Sequence, residues 1–160
     1  MTPAGTGPPS ATRAATATTP RTHHQVFPAH ADQVRHARRF LADVLAGYPA
    51  ADDAVLCLSE LASNSVIHSA SRQPGGTFTV RTATHDGGGV RVEVEDQGGL
   101  WGSSSSENGQ HGHGLHIVSQ LACAWGITGD SATGRTVWFE LECPSDRLYA
   151  SHRQSTTPRR

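Results

Sequence analysis

Long apolar runs are missing from this chain. No stretch approaches the roughly 18 residues that a membrane-spanning helix requires, and no membrane association is expected. The hydrophobic fraction, 36% of 160 residues, is low for a chain that is globular throughout. Part of the length is therefore expected to stay unfolded. Cysteine is scarce: Cys57, Cys123 and Cys143 are odd in number and far apart. That pattern reads as a reduced, intracellular protein and excludes a disulfide scaffold. Net charge is also small, at -1 with a pI near 6.8, so nothing pulls the molecule toward nucleic acid. Ten histidines make that charge sensitive to pH around neutrality. The first 24 residues, "MTPAGTGPPSATRAATATTPRTHH", hold no apolar core segment and so do not read as a secretory signal. Their Thr/Ala-rich, acid-free composition is shared by transit peptides and by Pro- and Gly-rich tails. A tail in a cytoplasmic protein is the expectation.

The remaining pattern is that of one domain over residues 26–144, between disordered tails at 1–25 and 145–160. Apolar spacing predicts a helix over about 31–46, carried by Val34, Ala37, Leu41, Val44 and Leu45, with Gly47 near its end. A second helix is predicted over about 52–69, with Asp52 and Asp53 suiting its positive end. "TFTVRTAT" (77–84) and "VRVEVED" (90–96) alternate as two strands joined by the turn-forming "HDGGG". After Asp96 the segment 97–114 is rich in Gly, Ser and His; a stretch this long without regular pattern is usually functional. "LHIVSQLACAW" (115–125) then reads as a helix, and 126–128 with 135–142 as a second hairpin. Helices set between antiparallel pairs argue an α+β fold with one face of the sheet covered.

Three groups of residues carry possible chemistry. Glu60, Asn64 and His68 form one stripe on the second helix, drifting only about 40° per step. Such a stripe is ordinarily a solvated face. Here Leu58, Leu61 and Ile67 flank it, and a carboxylate one turn before a carboxamide suits an Mg²⁺-bound anion. Asp96 falls in phase with the inward valines of its strand, where a carboxylate needs donors. Gly98 and Gly99 after it permit close approach of a flat ligand, or simply form a turn. The third group is "GHGLHIV" (112–118), a glycine-rich lead into a helix whose free amides attract phosphate. It is neither a Walker A loop nor a Rossmann fingerprint.

In this order the three groups resemble the nucleotide-binding domain shared by histidine kinases, Hsp90-type chaperones, type II topoisomerases and MutL. "ARRFLADVLAG", "LCLSELASNSVIHS", "VRVEVEDQGG", "HGHGLHIVSQLACAWG" and "GRTVWFELE" are most similar to the anti-sigma factor serine/threonine kinases of small actinobacterial type. The resemblance implies a Bergerat-type α/β sandwich, with a mixed, mostly antiparallel sheet, helices on one face, and ATP under a mobile lid. It implies Asn64 as the ligand of Mg²⁺ and Glu60 as general base. Asp96 would accept the adenine amino group, with Gly98 beneath the ring. Gly112 and Gly114 would meet the phosphates at the start of the G-x-G-L element, with Leu115 next to them, and Thr136 would assist adenine binding. His68 is structural by the same likeness. This chain departs from the family at Leu100, where a second glycine is frequent, and at Ile67, where many relatives carry Arg.

The function implied is ATP-dependent phosphorylation of an antagonist protein on Ser or Thr by a kinase that also binds a sigma factor, with a homodimer left open. A non-catalytic module that uses ATP to shape a partner surface is the alternative. A third reading takes His111, His113 and His116 as ligands of zinc or copper.

Overall fold

The computed structural model describes residues 19–99 and 113–142. Strand β1 (Arg21–Pro28) leads into helices α1 (Gln33–Val44) and α2 (Ala51–His68), and a short 3₁₀ turn follows at Ala70–Arg72. Then come β2 (Thr77–Thr84), β3 (Val90–Asp96), α3 (His113–Leu121), β4 (Ala124–Asp130) and β5 (Gly134–Leu141). The five strands lie in the order β1-β2-β3-β5-β4, and every pairing is antiparallel. The expected α+β sandwich is thus present, with a sheet that is antiparallel throughout the described residues.

Alternation decides which way each strand faces. Phe78 and Val80 of β2, Val90, Val92 and Val94 of β3, and Val137, Phe139 and Leu141 of β5 are all buried. They meet Ala37, Leu41 and Leu45, which recur every fourth residue along and just beyond α1, and Ala54, Cys57, Leu58, Leu61 and Ala62 of α2 in one core. Phe27 closes it at the β1 edge, stacked on Phe78 with ring centroids 5.3 Å apart. The opposite sheet face carries charge instead. Arg81 pairs with Glu95, Arg91 reaches Glu93 and Glu140 at 2.9 Å each, and Arg91 lies 4.0 Å over the Trp138 ring.

Three expectations need correction. β1 begins at Arg21, so the expected domain start at residue 26 falls inside a strand. Seven of its eight residues are exposed, and register with β2 holds it, from Arg21↔Thr84 to Pro28↔Thr77. The helix expected over 115–125 ends at Leu121, and β4 has begun by Ala124. Finally, Cys57 is a buried free thiol but Cys123 is disulfide-bonded, against the expectation that all three cysteines are reduced. Among the described residues no helix is long and apolar enough to cross a membrane.

Candidate functional site

Helix α2 crosses the inner face of β2 and β3 and then packs against α3. Its four-residue repeat sends Leu58, Leu61 and Ala62 into the core and leaves Glu60 and Asn64 half-buried beside α3. Gly114, in the first turn of α3, lies directly against them. A methyl group built on Gly114 would stand 2.9 Å from Glu60 Oε2, 3.2 Å from Glu60 Cβ and 3.5 Å from Asn64 Nδ2. The positive end of one helix therefore abuts the carboxylate and carboxamide of another, at a distance only glycine allows. Leu115 is half-buried and packs against the core. Gly112 lies outside the described residues.

Asp96 closes β3 on the same inner face, 4% exposed. Its Oδ1 accepts from the Gly98 amide at 2.9 Å, and its Oδ2 from Ser65 Oγ at 3.2 Å. The Ser65 proton has a second acceptor at the same distance, Leu61 O, but an ionised carboxylate is the stronger of the two. A relay of serines reinforces the tie between α2 and the end of β3. Ser69 Oγ donates to Ser65 O at 2.5 Å, Ser71 N donates to Ser69 Oγ at 3.0 Å, and Gln97 N donates to Ser71 Oγ at 2.9 Å. Gly98 then turns with φ 75°, and a Cβ there would lie 2.7 Å from Ser131 O. The β4–β5 turn thus closes over Gly98, and Gly99 N donates to Ser131 O at 2.8 Å.

Thr136 is not part of this group. It stands opposite Glu95 in the ladder, on the charged outer face, whereas the residue opposite Asp96 is Arg135. Arg135 Nη2 lies 3.2 Å from Asp96 Oδ1 and 3.0 Å from Oδ2, with side-chain exposures of 7% for the arginine and 1% for the aspartate. The expected adenine-side role of Thr136 is therefore at odds with its position. Reading the sequence missed Arg135, although the alternation of Val137, Phe139 and Leu141 already puts residue 135 inward. It missed Ser65 as well, and nothing in the sequence singled that serine out. His68 ends α2 half-buried, and Ile67 beside it is 56% exposed. Of the histidines proposed as metal ligands, His111 lies outside the described residues and His116 is exposed. Among the described residues no three His, Cys, Asp or Glu side chains gather to hold a metal ion.

The contact of α2 with α3 thus offers oxygen donors beside the start of a helix, and the end of β3 a buried carboxylate at a glycine turn. That is a chemistry suited to a nucleotide with its phosphates toward α3. A family model for the histidine kinase-like ATPase domain matches residues 27–141. The chain is also similar to a crystal structure of the RsbU and RsbW domains of Rv1364c from Mycobacterium tuberculosis. That likeness has a TM-score of 0.60 and 25% identity, covering 76% of this chain and 32% of the other. This chain therefore spans about a third of that protein's length. No curated protein matches it in sequence. Fold and family match agree: the chain belongs to the histidine kinase-like ATPase domain family.

Proposed function

We propose that this protein is a protein serine/threonine kinase of anti-sigma factor type, using Mg²⁺-ATP to phosphorylate an antagonist protein and binding a sigma factor or similar partner. The observation that carries the reading is the meeting of Gly114 with Glu60 and Asn64, on the same helix that Ser65 ties to Asp96. The residues suit the ligand. Glu60 and Asn64 are hard oxygen donors of the kind magnesium takes, and the bare Cα of Gly114 leaves the start of α3 open to phosphate oxygens. Asn64 would hold Mg²⁺, whose charge offsets that of the phosphates. ATP supplies the phosphoryl group.

Glu60 then acts as the base. It accepts the proton of a serine or threonine hydroxyl brought up by the partner, one helical turn from the metal ligand. Asp96 reads the purine and Gly98 lies beneath it. Such catalysis is mostly positioning and charge neutralisation, which a helix pair locked to a sheet end provides. Binding of Mg²⁺-ATP tests the reading. Asp96→Asn is expected to weaken it at least tenfold, about the worth of one charge-assisted hydrogen bond. Equal affinity in the two proteins ends the nucleotide reading. Glu60→Gln is expected to abolish phosphate transfer while leaving ATP bound. A protein that never transfers phosphate would instead be an ATP-dependent binding module.

A further inference from the structure

Three donors already enclose Asp96, and its side chain is only 1% exposed. Oδ1 takes the Gly98 amide, Oδ2 takes the Ser65 hydroxyl, and Arg135 Nη2 lies within reach of both oxygens. A purine amino group can reach so enclosed a carboxylate only by displacing one of these donors. The Gly98 amide belongs to backbone pinned on both sides, by Ala70 N donating to Gly98 O at 2.7 Å and Gly99 N donating to Ser131 O. The Ser65 hydroxyl sits on a short side chain in the last turn of α2 and is buried. Only the guanidinium sits on a long side chain, and other rotamers can carry it away. It comes from the second residue of β5, next to the turn at 131–133.

We propose that Arg135 is a specificity-setting residue of the nucleotide site, a built-in competitor that holds the Asp96 carboxylate until a 6-aminopurine displaces it. The inference rests on the ATP reading above. Ligands that engage only the phosphate end, near Glu60 and Asn64, do not meet Arg135. Ligands that engage the base end bind only the fraction of molecules in which Arg135 has let go, and their apparent affinity falls by that fraction. The resting protein is thus tuned to a high nucleotide concentration by a residue that touches neither phosphate nor metal.

The test uses the full chain and calorimetric titration with adenosine, Mg²⁺-ATP and inorganic tripolyphosphate. Arg135→Thr leaves a short hydroxyl on the same face. It is expected to bind adenosine and Mg²⁺-ATP about tenfold more tightly, the gain from a closed form that dominates ten to one, with tripolyphosphate unchanged. Equal or weaker adenosine binding by the variant, with ATP still bound by both, overturns the inference and leaves the ATP reading intact. No binding of adenosine or ATP by either protein removes that reading, and this inference with it. Should the variant not fold, the wild-type protein answers by NMR of the Arg135 side chain. Saturating adenosine is expected to speed proton exchange of its guanidinium, and a signal unchanged with adenosine bound overturns the proposal.

Discussion

Ser65 Oγ lies 3.2 Å from Asp96 Oδ2, and this contact ties the last turn of α2 to the last residue of β3. Ser65 is next to Asn64, so the same half-turn of helix presents a carboxamide toward α3 and a hydroxyl to the sheet end. The two ends of the candidate site are therefore not free to drift apart. Their separation is set by one helix and one strand, with the serine relay at 69 and 71 bracing the loop between them.

Removing that tie should be felt in both stability and binding. Ser65→Ala leaves a nearly sealed carboxylate with one donor fewer, a loss of about 1–2 kcal/mol. Urea unfolding should show a lower midpoint with an unchanged slope. A midpoint equal to wild type would mean the hydroxyl is satisfied by Leu61 O alone and braces nothing.

Gly114→Ala separates packing from helix propensity. Alanine favours a helix by about 0.8–1.0 kcal/mol over glycine. Its Cβ would nonetheless stand 2.9 Å from Glu60 Oε2 and force that carboxylate to turn. The melting temperature should stay close to wild type while phosphate transfer falls about a hundredfold, the cost of a misplaced base. Undiminished transfer would remove Glu60 from the role proposed for it.

Much of this was legible beforehand, and the failures have physical causes. "VRVEVED" alternates cleanly, and Asp96 falls in phase with the buried valines because a strand has period two. α2 was legible through its apolar repeat and the acids at its start. β1 was not, because an edge strand with Phe27 as its one buried residue carries no alternation; its stability comes from backbone pairing that composition does not record. Thr136 differs for another reason. Family likeness points to a threonine near the glycine, whereas the period of two visible in Val137 and Phe139 puts residue 136 on the outer face.

That phase makes a sharp prediction. Thr136→Val changes a half-buried residue opposite Glu95 on the outer sheet face. Mg²⁺-ATP affinity should stay within about twofold of wild type, and valine's preference for strands should leave stability equal or slightly raised. A tenfold loss of affinity would restore Thr136 to the nucleotide site and contradict the register of β5.

Cys57 gives the pH prediction. Burial, with the charge of Asp53 adding to it, pushes its thiol from 9.0 up to about 11. The folded protein then keeps a proton that the unfolded chain releases, so the neutral thiol favours folding in full below pH 9. That contribution declines as pH rises from 9 to 11. The chain contains no lysine, so no ammonium groups titrate across the same window. In Cys57→Ala the alkaline loss should be smaller. The variant pays for a small void at every pH, so wild type should be the more stable protein at pH 8, with the gap narrowing toward pH 11. Denaturant titrations at half-unit pH steps measure this directly. A gap that stays constant through pH 11 would mean that the thiol ionises equally in both states.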